Sequence, residues 1–261
     1  MKKIIFYKYQ GTGNDFVIID NRTLFFQKEN ISLINHLCDR RFGIGGDGLI
    51  LLENCPETDF RMVYYNADGN QSTMCGNGGR CIVAFAKKLE IIKNKTSFMA
   101  IDGLHHSTID DLGIVSLQMK DVTDIKIEKD YVFLDTGSPH HVTLVENLKD
   151  YDIFTNGAQI RYSDLYGKSG SNVNFVSQIT DNEFTIRTYE RGVEDETLSC
   201  GTGATATAIA MNAIGKSNAN DIIINIQGGN LEISFDKINN IYENVFLKGK
   251  AEFVFSGEIL T

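Results

Sequence analysis

Two cysteines in this chain stand in near-identical company, as Cys75-Gly76-Asn77-Gly78-Gly79 and as Cys200-Gly201-Thr202-Gly203-Ala204. Each string falls between a run with strand character and a run with helix character. A thiol at a glycine-lined helix start can have its pKa lowered, and the backbone N–H groups beside it can hold an anion. Two such thiols suggest a pair of bases facing each other across one substrate. That arrangement inverts a carbon centre: one base takes a proton from one face and the other returns a proton to the opposite face. The α-proton of an amino acid is very weakly acidic, so such a base must be strong, close and shielded from water. The helix ends supply N–H groups for the substrate carboxylate and for negative charge developing on it, and the glycines let that backbone approach closely. The chemistry needs no pyridoxal phosphate.

The elements that must position these thiols can be read on either side of them. In the first half, Phe60–Asn66 is rich in β-branched and aromatic residues and reads as a strand, followed by a turn at Ala67-Asp68-Gly69-Asn70. Cys81–Leu89 then reads as a helix whose basic residues, Lys87 and Lys88, suit its later turns. In the second half, Glu183–Tyr189 is the strand, Glu190-Arg191-Gly192 opens a loop, and Ala204–Met211 is an uncharged helix expected to be buried on every side. Gly13-Asn14-Asp15-Phe16-Val17 also resembles Val173-Asn174-Phe175-Val176, and the two echoes together suggest an internal duplication with a break near residues 118–130. Short strand-like runs dominate elsewhere, at 4–7, 17–20, 113–119, 131–135, 222–226, 231–235 and 251–255, several separated by Asn-Gly, Asp-Gly or Gly-Gly pairs. Many strands with one central helix per half point to an α+β fold, a curled sheet around a buried helix.

Composition excludes several classes. With 261 residues, 42% of them hydrophobic, the chain can bury one large core or two ordinary ones. A formal net charge of −9 is unlike the basic stripe of a nucleic-acid binder. The basic start at Met1-Lys2-Lys3 is followed by an apolar stretch that Lys8 interrupts too early for an export signal, and no apolar run is long enough to span a bilayer. Five cysteines, an odd number without CxxC spacing, argue against a secreted disulfide framework or a zinc cluster and fit reduced thiols in a cytoplasmic enzyme.

Other candidates have plainer readings. Cys38, Cys55 and Cys81 read as small buried apolar residues. Arg41–Gly48 has glycine spacing resembling a dinucleotide fingerprint, but its third glycine is out of register; it reads as a loop near the site, and no phosphate-binding G-x-x-x-x-G-K-[ST] is present. His140-His141 lack partners at metal-ligand spacing and read as structural or proton-tuning, and His105-His106 as surface. Glu190 and Arg191 are either a solvated ion pair or functional groups beside a reactive cysteine. A redox switch using the two thiols, or a non-catalytic small-molecule binder, stays open from the residues alone.

Taken together, the motifs resemble the diaminopimelate epimerase family. They are G-T-G-N-D-F at 11–16, R-F-G-I-G-G-D-G at 41–48, N-A-D-G at 66–69, M-C-G-N-G-G-R-C at 74–81, G-S-P-H at 137–140, N-V-N-F-V at 172–176, Y-E-R-G at 189–192 and S-C-G-T-G-A at 199–204. The resemblance covers nearly the whole chain in family order. It implies a cofactor-independent epimerase that interconverts LL- and meso-diaminopimelate for lysine and peptidoglycan precursors, with Cys75 and Cys200 as the catalytic bases. It also implies that Gly76, Asn77, Gly201 and Thr202 hold the reacting carboxylate. By the same resemblance Asn14, Asn66, Asn174, Glu190 and Arg191 would hold the rest of the substrate, with Arg191 on the distal carboxylate, and His140 and Glu190 would influence the thiol pKa values. The implied fold is two pseudo-symmetric halves, 1–119 with a returning strand 252–261 and 120–251, each a barrel-like sheet around a central helix with the site in the cleft between. A cytoplasmic homodimer without metal, nucleic-acid or membrane partners is implied as well. Proline racemase and hydroxyproline epimerase share the paired cysteines, but Arg191 and the asparagines favour a substrate with a second zwitterionic head. Two positions depart from the commonest pattern: Gly48 stands where many members carry a substrate-contacting glutamine, and Ser138 where asparagine is usual.

Overall fold

The structure, a computed structural model, describes residues 3–72 and 74–260; Met1 and Lys2 of the basic start, Thr73 and Thr261 lie outside the described residues. The chain forms two compact units, Met1–Leu117 with Gly249–Thr261 and Gln118–Lys248. The first contains β1 (Lys3–Gly11), β2 (Asn14–Asp20), α1 (Ile31–Cys38), β3 (Gly48–Glu53), β4 (Phe60–Asn66), β5 (Gln71–Ser72) and α2 (Gly76–Lys88), followed by β6 (Lys95–Ala100), β7 (Gly103–Ile109), β8 (Ile114–Gln118) and the returning β18 (Glu252–Leu260). The second contains β9 (Ile125–Ile127), β10 (Val132–Asp135), β11 (Pro139–Leu144), α3 (Ile153–Arg161), β12 (Asn172–Thr180), β13 (Glu183–Glu190), β14 (Asp195–Thr197), α4 (Gly201–Ala213), β15 (Asp221–Ile226), β16 (Gly229–Ile238) and β17 (Ile241–Lys250). Among the described residues no helix is long and apolar enough to cross a membrane.

Pairing by pairing, the second unit repeats the first. β1–β2 is antiparallel, β2–β3 parallel across α1, β3–β4 antiparallel and β4–β6 parallel across α2, then β6–β7 and β7–β8 are antiparallel. β10–β11, β11–β12 across α3, β12–β13, β13–β15 across α4, β15–β16 and β16–β17 run in the same sequence of senses. Even the flanking strands correspond, β18 beside β1 and β9 beside β10, both antiparallel. This α+β architecture is the duplication that the sequence suggests, but one of its two echoes is misaligned. The strand at 14–20 is β2, whose counterpart is β11, whereas Asn174 lies on β12, the counterpart of β3. The true partner of Thr12-Gly13-Asn14 is Thr136-Gly137-Ser138, the first string joining β1 to β2 and the second joining β10 to β11.

Helices α2 and α4 are the cores of their units. α2 packs on β1, β2, β3, β4, β7 and β18, and α4 on β10 through β13, β15 and β16, so each sheet must curl around its helix. In α4 nearly every residue is buried, as its uncharged composition predicts. Its two buried threonines satisfy their hydroxyls within the helix, Thr205 on the Gly201 carbonyl at 3.0 Å and Thr207 on the Gly203 carbonyl at 2.9 Å. Leu49–Leu52 of β3 are completely buried because α2 covers one sheet face and α1 the other, through Ile34 and Leu37. α3 packs in the same way over Val173, Phe175 and Tyr189. Burying each such apolar side chain stabilises the fold by about 1.5–3 kcal/mol before the opposing chain entropy. α1 and α3 are also capped alike, Asn30 accepting from Leu33 N and Asp152 from Thr155 N, both at 3.0 Å.

Candidate active site

Both cysteines occupy the N-cap of their unit's central helix in extended conformation, Cys75 at φ −88° and Cys200 at φ −126°. The helices start earlier than composition suggests, at Gly76 and Gly201 rather than at Cys81 and Ala204. The Cys75 carbonyl accepts from Gly79 N at 2.7 Å and the Cys200 carbonyl from Ala204 N at 2.9 Å, closing the first turn of each helix. Glycine, normally unfavourable in a helix, is required here by packing. A Cβ on Gly79 would lie 2.9 Å from Leu117 Cδ2 and Met74 Sδ, and one on Gly203 would lie 2.5 Å from Asn174 Oδ1.

Around Cys75, Asn14 is the organising side chain. Its Oδ1 accepts from Asn77 Nδ2 at 3.1 Å and from Cys75 Sγ at 3.6 Å, while its Nδ2 donates to Asp47 Oδ2 at 2.6 Å. Asp47 ends the glycine-spaced loop at 41–47. Its neighbour Asp15 is held by Lys8 Nζ at 2.6 Å and by Arg40 through two bonds of 2.7 and 3.0 Å, and Arg40 reaches Asp47 as well at 2.8 Å. Burial would raise the Asp15 carboxyl, but the Arg40 and Lys8 contacts outweigh it and hold it well below the usual carboxylate range. Asn66 is exposed at the end of β4, directly across the β3–β4 ladder from Gly48. A Cβ on Gly48 would lie 2.5 Å from the Tyr64 ring and 2.6 Å from the Tyr65 carbonyl, so Tyr64 fills the space a longer residue would need.

Arg80, in the second turn of α2, is completely buried. Its Nη2 donates to Thr12 Oγ1 at 3.2 Å and its Nη1 reaches the Gly76 carbonyl at 3.5 Å. Thr12 itself sits at φ 52°, a conformation that β-branched residues avoid. The sequence reading passes over Arg80, although it lies in the quoted motif, because it stands just before the helix read at Cys81–Leu89 and nothing local marks it as buried.

Around Cys200, Sγ lies 3.5 Å from Thr202 Oγ1, and the Thr202 carbonyl accepts from Thr136 Oγ1 at 2.9 Å. Asn174 is fully buried and fixed by three bonds. Its Oδ1 accepts from Thr188 Oγ1 at 3.0 Å, and its Nδ2 donates to His140 Nδ1 and to the His141 carbonyl, both at 3.1 Å. His140 is also fully buried, which pushes its imidazole down to about 3, so it is neutral at pH 7 with its proton on Nε2. The paired His141 stacks on Tyr131 and meets the Tyr166 hydroxyl at 2.7 Å.

Ser138 and Arg191 are joined through a residue the sequence reading did not single out. Asn172 Nδ2 donates to Ser138 Oγ at 2.9 Å, and Asn172 Oδ1 accepts the Arg191 backbone N–H at 2.9 Å. The Arg191 guanidinium donates to the Ser169 carbonyl at 3.2 Å, while Glu190 accepts from Thr197 Oγ1 at 2.8 Å. The repeat also pairs site positions: Asn14 and Ser138 each stand two residues beyond a turn threonine, and Asn66 and Glu190 are the last residues of β4 and β13. Burial pushes the Cys38 and Cys81 thiols up to about 12, as expected of apolar packing residues. Among the described residues no group of three or more His, Cys, Asp or Glu side chains is arranged to hold a metal ion.

Each unit therefore presents one thiol, a pair of backbone N–H groups at a helix start, and a buried amide fixed nearby. That set can hold a carboxylate and move a proton at the adjacent carbon. A family model described as diaminopimelate epimerase matches residues 6–124 and 132–254. A diaminopimelate epimerase of Flavobacterium psychrophilum is 69% identical over 253 residues, covering 97% of this chain and 99% of that protein. One of Chlorobaculum tepidum is 39% identical over 257 residues, covering 95% and 98%. Among solved structures, a phenazine biosynthesis protein of the PhzF family from Bacillus anthracis superposes with a TM-score of 0.77 at 13% identity over the whole of both chains, a likeness of fold. With a family model spanning most of its length and a relative this similar, the chain belongs to the diaminopimelate epimerase family.

Proposed function

We propose that the chain interconverts LL- and meso-2,6-diaminopimelate without a cofactor, using Cys75 and Cys200 as the two bases. One cysteine, as thiolate, removes the α-proton. The electron pair left on the carbon spreads into the adjacent carboxylate, whose oxygens are held by backbone N–H groups at Gly76-Asn77 and Gly201-Thr202. The other cysteine, as thiol, delivers its proton to the opposite face, and the two sulfurs finish with their protonation states exchanged. Arg191 holds the distal carboxylate. Asn14, Asn66, Asn174 and Glu190 hold the remaining polar groups, and His140 and Glu190 set the thiol ionisation. The product feeds lysine and peptidoglycan precursor synthesis, in the cytoplasm where the five cysteines stay reduced.

The observation that carries this reading is the repeat of one construction: a thiol at the N-cap of a buried, glycine-started helix in each unit. A single site of this kind could bind an anion, but proton removal and return on opposite faces needs two. Homodimerisation belongs to the same proposal; it would cover Ile5, Phe253, Val254 and Phe255 on β1 and β18, which are 43–53% exposed. Light scattering at twice the 29.1 kDa chain mass supports the dimer, and the single-chain mass refutes it.

The test of function is reduced protein with LL-diaminopimelate in D₂O, followed by NMR. Meso product carrying α-deuterium is expected from the wild type and from neither Cys75→Ala nor Cys200→Ala. Near-normal turnover in either variant would refute the two-base mechanism, and exchange of proline but not diaminopimelate would refute the substrate.

A further inference from the structure

The duplicated fold contains its own control experiment. The fifth residue after each catalytic thiol is Arg80 in α2 and Thr205 in α4, and both are completely buried. Both also reach the carbonyl of the residue following the cysteine, Arg80 Nη1 to Gly76 at 3.5 Å and Thr205 Oγ1 to Gly201 at 3.0 Å. One unit thus carries a cation where the other carries a neutral hydroxyl, in otherwise corresponding sites.

A buried guanidinium is costly unless an anion answers it. Among the described residues Arg80 makes no ion pair, and its Nε, fully buried, has no hydrogen-bond partner. The charged groups on the elements around it are otherwise engaged. Asp15 on β2 and Asp47 before β3 are matched by Lys8 on β1 and Arg40 after α1, two carboxylates against two cations. Asp102, in the β6–β7 turn, is paired with His105 at 3.3 Å. Cys81, the next residue on the helix, is kept protonated by its burial. The ionisable groups whose negative charge acts on Arg80 are Cys81 and Cys75, and with Cys81 protonated Cys75 is left. The N-terminal end of α2 adds further positive potential at the same place. On the other side, the position equivalent to Arg80 holds the neutral Thr205 hydroxyl, and Cys200 Sγ lies 3.5 Å from the Thr202 hydroxyl.

We propose that Arg80 is the positioning residue that makes Cys75 the resting thiolate, leaving Cys200 as the resting thiol, so that the resting enzyme is poised to take a proton at Cys75 and give one at Cys200. This rests on the two-thiol reading above. The substrate carboxylate is the competing partner for Arg80, and the test separates the two.

The experiment measures iodoacetamide alkylation of Cys75 against pH in the substrate-free Cys200→Ala protein, with the modified peptide followed by mass spectrometry. The expected midpoint lies below the ordinary thiol value of about 8.5. Arg80→Met should raise it by about one pH unit or more, as removal of a close opposite charge does. Arg80→Lys, which keeps the charge but not the shape, should recover most of the shift. In an Arg80-intact Cys75→Ala protein, the Cys200 midpoint should stand above that of Cys75. An unshifted midpoint in folded Arg80→Met would assign the charge to the substrate carboxylate and overturn the proposal. Should Arg80→Met not fold, a Cys75 midpoint at or above 8.5, or one at or above that of Cys200, overturns it with Arg80 in place. Alkylation needs no turnover, so a wild type that fails to exchange α-hydrogen would refute the proposed reaction while leaving this result readable.

Discussion

Gly203→Ala is the sharpest single-methyl probe of the Cys200 site. The added Cβ would stand 2.5 Å from Asn174 Oδ1 and 3.2 Å from Cys200 Sγ. Ordinary contact begins near 3.4 Å, so the amide oxygen must yield by about 0.9 Å. It cannot do so freely, because Thr188 donates to that oxygen while Nδ2 is tied to His140 and to the His141 carbonyl. Overpacking of this kind costs about 1–3 kcal/mol, and loss of the Thr188 bond adds about 1 kcal/mol. The better helix propensity of alanine returns up to about 1 kcal/mol. A net loss of about 1–3 kcal/mol corresponds to a Tm lower by roughly 2–12 °C in a chain of this size. Displacement of Asn174 and Sγ should also lower kcat/KM for diaminopimelate by about tenfold or more. Calorimetry and the deuterium-exchange assay read the two effects separately. In an Asn174→Ala background the 2.5 Å contact is gone and only the 3.2 and 3.3 Å contacts to Cys200 remain, so the same glycine substitution should cost less stability there. Unchanged Tm and kcat/KM in Gly203→Ala, or equal costs in both backgrounds, would refute the tight Gly203–Asn174–Cys200 packing.

Burial pushes His140 down to about 3 and His141 to about 4, while in the unfolded chain both take a proton near 6.5. The stability gained from keeping them neutral is fully present above about pH 6.5 and is lost as pH falls toward those lower values. The Tm should therefore drop between pH 6.5 and 4.5, where Asp15 is still ionised, and His140→Gln should flatten the drop; a flat wild-type profile would contradict it. Gly48→Gln should lower the urea midpoint by the equivalent of about 1–3 kcal/mol, because its Cβ meets both the Tyr64 ring and the Tyr65 carbonyl. Tyr64→Leu should restore only part of that loss, and full recovery would mean the backbone contact is immaterial. Arg191→Ala should cut kcat/KM about 10–100-fold, the value of one charge-assisted contact, whereas an unchanged value would remove Arg191 from the distal carboxylate.

The placement of the two thiols was more legible than the scaffold that holds them. Cys75 and Cys200 announce themselves because the same rare string occurs twice, and the burial of α4 follows directly from its lack of charge. The starts of α2 and α4 were less visible, since glycines carry a loop signal in isolation. Only the closeness of Leu117 and Met74 to Gly79, and of Asn174 to Gly203, explains why they sit inside helices. The Asn14–Asn174 echo misled because it matched letters on β2 and β12. The repeat is instead defined by which strands pair in parallel across a helix, information that resides in contacts distant along the chain. Asn172 and Arg80 were hidden for a related reason. Their roles depend on burial and on partners that no local pattern names, Ser138 and the Arg191 backbone for one, Thr12 and Gly76 for the other.

β18 has a consequence for the order in which the protein matures during translation. Residues 118–248 form a contiguous unit whose contacts are complete once that stretch has left the ribosome. The other unit is discontinuous: β1, made near the start, pairs along nearly its whole length with β18, from Lys3 opposite Leu260 to Gln10 opposite Glu252. Its sheet must wait with that edge uncovered until the entire second unit has been synthesised. The half that comes later in the chain can therefore finish folding first, and a ribosome stalled before residue 252 holds one mature half beside an unfinished one. Until β18 arrives, the unpaired edge of β1 is the place where the nascent chain most needs protection from aggregation.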